Sequence, residues 1–205
     1  MQKSLHLYGA PASRTGRCLW TLEEVGAEYS YTKLDFRKGE HKAADFVALN
    51  PNAKIPVLVD EEADLVLFES AAICQYIARK FPDAELLPSA PRELALHDQW
   101  MYWIVSELEQ PLWSMGKHRF ALPAQYRVPA MLDTALFEWH QAAPVISAAL
   151  DQSEYLVGDR MRLVDILLAH TLMWARMFRV PFGFASMERY LDAMLARPAA
   201  AALKR

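Results

Sequence analysis

The chain has 205 residues, 53% of them hydrophobic and 23% charged, with a formal net charge of −3. That apolar content excludes a disordered chain and suffices for one large domain or two small ones. A slightly acidic chain without a Lys/Arg block lacks the electrostatic footprint of a nucleic-acid binder, so no nucleic-acid partner is expected.

The N-terminus, MQKSLHLYGAP, is too short and polar for a secretory signal. Leu5-His6-Leu7-Tyr8 alternates as a strand does and stops at Gly9-Ala10-Pro11. A helical pattern through Cys18, Leu19, Leu22 and Val25 follows, with Gly26 placed as its C′ residue. Tyr29, Tyr31 and Lys33 read as a second strand, and a short helix spans about Ala43 to Leu49. Two further strands, Val57–Val59 and Val66–Phe68, flank an acidic turn at Asp60 to Asp64. The helix Ser70 to Lys80 shows apolar spacing at Ile73, Tyr76 and Ile77. The order βαβαββα implies one mixed sheet with helices packed on it.

Residues 81–91 hold three prolines and read as a linker. Beyond it only helical patterns occur, at about Arg92–Met115, Gln125–Leu150, Leu163–Phe178 and Met187–Leu195, with Pro144 expected to kink or end the second. The apolar stretch Leu163 to Met177 is interrupted by Asp165, His170 and Arg176, so it reads as a buried helix and no membrane partner is expected. Cys18 and Cys74 have neither CxxC nor metal-like spacing and read as two buried thiols of a cytoplasmic chain. No metal site is expected. His97, His118, His140 and His170 read as surface or satisfied interior residues.

One stretch, Asn50 to Pro56 (NPNAKIP), carries more than folding information. Pro56 enters the apolar run Val57-Leu58-Val59 without an N–H, so the start of that strand cannot be an ordinary ladder. With a cis Ile55-Pro56 bond, the Ile55 backbone faces outward, free to pair with a peptide-like ligand. Glu69-Ser70 then opens a helix, where a side-chain oxygen and bare N–H groups can hold a ligand's charged end.

NPNAKIPVL at Asn50–Leu58, FESAAICQYI at Phe68–Ile77, VGDRMRLVDILLA at Val157–Ala169 and ARPA at Ala196–Ala199, in this order, resemble the cytosolic glutathione transferase family, in its bacterial, theta-like or serine-type branch. The resemblance spans essentially the whole chain. It implies a thioredoxin-like α/β domain over residues 1–80 that binds glutathione, a linker over 81–91, and an all-α domain over 92–205 that shapes a second-substrate pocket. It implies a cis Ile55-Pro56 bond, with Ile55 pairing the cysteinyl residue of glutathione. Glu69 and Ser70 would hold its γ-glutamyl end, while Lys54 and His41 would face its glycine carboxylate. Plainer roles stand beside these: a helix cap for Ser70, a dipole partner for Glu69, solvated surface for Lys54 and an idle loop residue for His41.

The chemistry implied needs glutathione as thiolate. Ser13, just before the first helix and four residues ahead of Arg17, matches the serine-dependent transferases. Tyr8 is the rival, since other classes use a tyrosine at the end of the first strand, and Thr15 is third. Ala12 stands where the mixed-disulfide classes place a cysteine. Gln110, Trp113 and Phe178, with Met115, Trp174 and Met177, are candidates for the second-substrate pocket. Two departures stand out. Arg162 replaces the family's Ser/Thr helix cap three residues before Asp165, and Ser106 occupies the place of a cross-subunit aspartate, for which Glu107 or Asp98 could substitute. The function implied is a detoxifying transferase, a homodimer in the cytoplasm, joining glutathione to small hydrophobic electrophiles. Its two-fold interface would run along Glu69–Lys80 and Arg92–Gln110. A glutathione-dependent disulfide or peroxide reductase, or a non-catalytic binding module on the same fold, are the alternatives.

Overall fold

The computed structural model describes residues 4–204. Strand β1 (Leu5–Gly9) leads through α1 (Thr15–Glu24) to β2 (Tyr29–Lys33), and α2 (Ala44–Leu49) leads to the hairpin of β3 (Val57–Asp60) and β4 (Leu65–Phe68). Helix α3 (Ser70–Lys80) closes this part. The sheet order is β2-β1-β3-β4, with β2 parallel to β1 and the other pairs antiparallel. This is the mixed four-stranded sheet expected of a thioredoxin-like domain.

Alternation on β1 puts Leu5 and Leu7 wholly inside, and His6 and Tyr8 on the other face, half-buried. Helix α1 packs against α3 and buries Cys18, Leu19 and Leu22, while α3 buries Ile73, Cys74 and Ile77. Helix α1 ends where expected, with Gly26 at φ 66°, a conformation that favours glycine. At the far end of β3, buried Asp60 accepts from Tyr76 Oη at 2.6 Å and Lys80 Nζ at 2.7 Å, which fastens the acidic turn to α3.

Two compact units make up the chain. The first runs up to Leu87 and also includes the chain from Ala196 onward, and the second is Pro88–Leu195. The 3₁₀ stretch Pro198–Lys204, grouped with the helical part in the sequence reading, lies against α1, and Arg197 pairs with Glu24. Its buried Ala200 and Ala202 explain the placement, since small side chains allow close approach.

The second unit holds α4 (Pro91–Trp103), α5 (Glu109–Gly116), α6 (Met131–Leu150), α7 (Leu163–Met177) and α8 (Ala185–Leu195). Three details differ from the sequence expectation. The helix expected over Arg92–Met115 widens into a π-helical turn at Ile104–Leu108, which relieves the clash between the Pro111 ring and the Glu107 carbonyl. Helix α6 starts at Met131 and not near Gln125, because Pro129 biases Val128 out of the helical region. Pro144 neither ends nor divides α6: the residue is exposed and so is His140, whose carbonyl loses its N–H partner but can turn to water.

Every residue of α7 from Leu163 to Leu172 is buried. Asp165 in its first turn accepts from Arg162 N at 2.8 Å, Leu156 N at 3.0 Å and Tyr190 Oη at 2.7 Å. Arg162 has no acceptor oxygen, so only half of a capping box exists, as the sequence implied. Burial pushes the Asp165 carboxyl up to about 6 against the pull of these three donors. Among the described residues no helix is long and apolar enough to cross a membrane.

Candidate active site

Sheet register decides where the expected ligand residues gather. Tyr8 of β1 lies opposite Val57 of β3, and Val57 opposite Phe68 of β4. The segments Gly9–Arg14, Asn50–Pro56 and Glu69–Ser70 therefore leave the sheet at one edge, and β2 ends at the same edge with Lys33 opposite Gly9.

In the first segment the Ser13 hydroxyl donates to the Ala10 carbonyl at 2.6 Å and accepts from Thr15 N at 3.2 Å. Thr15 Oγ1 lies 3.0 Å from Ser13 Oγ and accepts from Ala10 N at 3.2 Å. Thr15 is fully buried, so it anchors this loop and cannot itself present a hydroxyl to a ligand. A Cβ on Gly9 would come within 2.1 Å of Thr15 Oγ1, so only glycine permits the approach. Ser13 is left half-buried at the N-terminal end of α1, where its oxygen caps the first helical N–H. Tyr8 sits differently: its ring stacks on His6 at 4.2 Å between centroids and 8° between planes, with Phe46 of α2 at its edge.

Asn50 shapes the second segment. It is buried, donates from Nδ2 to the Lys54 carbonyl at 2.7 Å, and accepts at Oδ1 from Asn52 N at 3.0 Å. The Ile55-Pro56 bond is cis, as the resemblance implied, and the ladder begins only at Val57. Ile55 thus lies outside the ladder, Pro56 is buried beneath it, and Lys54 is exposed.

In the third segment Glu69 is exposed and holds φ 72°, a strained conformation for a non-glycine residue. Ser70 follows as the first residue of α3 and is buried. His41 lies in a 3₁₀ turn, Glu40–Lys42, with its ring 4.4 Å from that of Phe36. Its Nδ1 is shielded from solvent and has no partner among the described residues. Burial, with a smaller push from Lys42, lowers its pKa, so at neutral pH His41 offers a donor and not a cation.

The second-substrate candidates separate within the helical unit. Trp113 stacks on Trp174, and Trp174 meets Phe178, which also contacts Phe120. Gln110 instead lines a groove with Trp103, Ser106, Phe137 and Gln141, which also carries Glu107. Met115 is buried in the core, and Met177 is exposed. Sequence reasoning missed the anchoring roles of Thr15 and Asn50; Asn50 had a local signal, since an Asx side chain before a proline-bearing turn commonly ties its own backbone. Among the described residues no three metal-ligating side chains gather.

A thioredoxin-like sheet with a cis-proline strand start and three loops at one edge, joined to an all-helical unit, defines the glutathione transferase fold. Family models agree: the glutathione S-transferase N-terminal domain matches residues 3–79 and its C-terminal domain residues 110–198. The chain belongs to the glutathione S-transferase family and is a glutathione transferase. It is 32% identical to glutathione S-transferase 1 of wheat (Triticum aestivum), covering 94% of this chain and 90% of that protein. It is also 32% identical to the disulfide-bond oxidoreductase YfcG of Escherichia coli over 79% of this chain and 76% of that one. Among solved structures it resembles the glutathione-bound theta class transferase of Xanthomonas axonopodis pv. citri, with a TM-score of 0.81 and 30% identity over 98% of this chain and 96% of the other.

Proposed function

We propose that this chain is a serine-type glutathione transferase that stabilises the glutathione thiolate with Ser13 and delivers it to small hydrophobic electrophiles. The observation that carries this reading is the position of the Ser13 hydroxyl, at the N-terminus of α1 and on the same sheet edge as Ile55, Glu69 and Ser70. Glutathione acts as co-substrate. Its cysteinyl backbone pairs with Ile55, as an added strand does. Its γ-glutamyl carboxylate meets the Ser70 end of α3, and Glu69 faces its amine. Lys54 supplies charge and His41 a hydrogen bond to the glycine carboxylate.

With the sulfur bound beside α1, the Ser13 hydroxyl turns from the Ala10 carbonyl and donates to the thiolate. Thr15 N and Thr15 Oγ1 keep the Ser13 oxygen in place during that turn. A free thiol has a pKa of about 8.5. The hydroxyl donor and the helix terminus each contribute roughly 1–2 kcal/mol to the anion, and about 1.36 kcal/mol lowers the pKa by one unit. The thiolate then attacks the electrophilic carbon, a C–S bond forms, the leaving group departs with its electron pair, and the thiol proton has gone to solvent. Half-buried Trp113 and Phe178, backed by buried Trp174, offer an apolar surface for the second substrate.

We also propose a cytoplasmic homodimer. Val66 and Phe68 of β4, and Tyr102 and Phe137 of the helical unit, are large apolar side chains left exposed, which suits burial against a second copy. A second reading, glutathione-dependent disulfide reduction, is favoured by the likeness to YfcG. With Ala12 before Ser13, it requires two glutathiones and no protein thiol at the site.

Retention on glutathione-agarose, conjugation of chlorodinitrobenzene and reduction of hydroxyethyl disulfide, measured on wild type, Ser13→Ala and Tyr8→Phe, separate these readings. Conjugation lost in Ser13→Ala and kept in Tyr8→Phe is expected. Disulfide reduction without conjugation selects the second reading, and retention without either activity leaves a binding module.

A further inference from the structure

Cys18 on α1 and Cys74 on α3 stand 56 positions apart in sequence, yet their sulfurs lie 3.7 Å from each other. Both are free thiols and both are fully buried. The conjugation chemistry above uses neither. Their surroundings are more polar than an ordinary core. Cys18 Sγ lies 3.6 Å from the Ser70 carbonyl oxygen and 3.8 Å from that of Arg14, both of which can accept its S–H. The side chain of Arg17, one residue before Cys18, is itself fully buried, so its charge acts on both sulfurs with little water between.

This setting divides the two thiols. Burial drives Cys18 well up, and its hydrogen bond to Cys74 adds to that, so it keeps its proton. Burial also pushes Cys74 up, but the hydrogen bonds from Cys18 and Thr21 and the charge of Arg17 outweigh it and hold Cys74 below the ordinary thiol value. One sulfur is thus suited to attack an oxidant, and the other stands in contact to resolve the product. Closing 3.7 Å to the ~2.0 Å of an S–S bond takes a shift of about 1.7 Å, within reach of side-chain rotation.

We infer that Cys18 and Cys74 form an oxidisable pair that hydrogen peroxide converts to a disulfide joining α1 to α3. The Cys74 thiolate attacks one peroxide oxygen; an S–O bond forms, the O–O bond breaks, and hydroxide leaves to take up the proton that Cys74 had released. The Cys18 sulfur then attacks the sulfenic sulfur of Cys74. The S–S bond forms, the S–O bond breaks, and the Cys18 proton leaves with that oxygen as a second water. Two thiols lose two electrons and one peroxide becomes two waters. Burial selects the oxidant, because peroxide is small enough to reach the pair and glutathione disulfide is not. The bond clamps together the two helices whose N-terminal ends present Ser13 and Ser70, and it sits one contact from the Ser70 carbonyl. That last consequence rests on the function proposed above, while the bond itself does not.

The test is made on reduced full-length chain, treated with hydrogen peroxide and in parallel with glutathione disulfide, then alkylated in denaturant and measured by intact mass and peptide mapping. Peroxide is expected to remove the mass of two hydrogens, block alkylation and yield one Cys18–Cys74 cross-linked peptide that dithiothreitol reverses; glutathione disulfide leaves both thiols alkylatable. In Cys18→Ala, oxidation is expected to run past sulfenic acid to oxygen adducts on Cys74. Two alkylated cysteines after a peroxide dose that oxidises free N-acetylcysteine in the same tube, or links only between chains, overturn the inference. Glutathione titration of both forms is expected to differ by at least about fivefold in affinity. Equal affinities overturn the clamp, whereas absence of binding by either form overturns the functional reading instead.

Discussion

Helices α1 and α3 begin very differently from α7. At α7 the chain locks the first turn from within: the Asp165 carboxylate receives the backbone N–H groups of Arg162 and Leu156 and the Tyr190 hydroxyl, and the helix is buried from Leu163 to Leu172. At α1 the Ser13 oxygen accepts from Thr15 N, at α3 the cap position makes no side-chain hydrogen bond, and half-buried Ser13 and buried Ser70 stand at these openings beside the strained Glu69. The positive end of a helix attracts an acceptor in either case. Where the chain supplies the acceptor, the terminus holds the fold together. Where it supplies only a rotatable hydroxyl, as at α1, or no side-chain acceptor, as at α3, the terminus can receive an outside anion.

The hardest blow to this contrast is Asp165→Ala, which takes the acceptor from the Arg162 and Leu156 N–H groups and leaves Tyr190 only its longer bond to the residue 165 carbonyl, and it is expected to lower stability by about 2–4 kcal/mol, read from denaturant unfolding. The same group sets a pH dependence. Its folded pKa of about 6 lies above the roughly 3.9 of an unfolded aspartate, so its contribution is full below about pH 4 and lost as pH rises through about 6. Melting midpoints of wild type should therefore fall over that window relative to Asp165→Asn; parallel curves for the two would contradict it.

At the N-terminal end of α1, Ser13→Ala is expected to lower kcat/KM about ten- to thirtyfold, raise the pKa of bound glutathione by about one unit, and cost about 0.5–2 kcal/mol of stability through the lost bonds to Ala10 and Thr15. Tyr8→Phe should stay within about twofold, because its ring is already engaged by His6. An inverted order, followed by thiolate absorbance against pH, would move the chemistry to Tyr8. Next in size, Asn50→Ala removes both side-chain bonds that shape the loop before Pro56 and should lose about 1–2 kcal/mol, raising KM for glutathione more than it changes kcat. Smallest is Glu69→Gly. Relief of the φ 72° strain should stabilise the chain by about 0.5–1 kcal/mol while glutathione affinity falls, so a variant that is more stable and binds equally well would show that Glu69 does not hold ligand.

Local rules made most of the fold readable. The alternation of β1, Gly26 at the end of α1 and the proline before β3 each act within a few residues, and each appears as expected. Gln110 and Trp113 show where such rules stop. Three residues apart on α5, they diverge by about 60° around the helix axis, and that is enough to set Gln110 beside Phe137 and Gln141 of α6 and Trp113 against Trp174 of α7. The pairing of Cys18 with Cys74 depends on packing between distant segments, which no local pattern encodes, whereas the anchor role of Thr15 rests on Gly9, Ala10 and Ser13 close by and shows only once the loop is folded. At Pro144 the local rule was outweighed, since an exposed helix face lets water satisfy the carbonyl that proline leaves bare.

The segment Pro198–Lys204 that lies against α1 bears on the order in which the chain is made. A ribosome delivers α1 and the sheet first, then all of Pro88–Leu195, and only afterwards the stretch that covers α1 and lets Arg197 reach Glu24. The first unit to emerge is thus the last to be completed, and the helical unit has the opportunity to fold while α1 still lacks its cover.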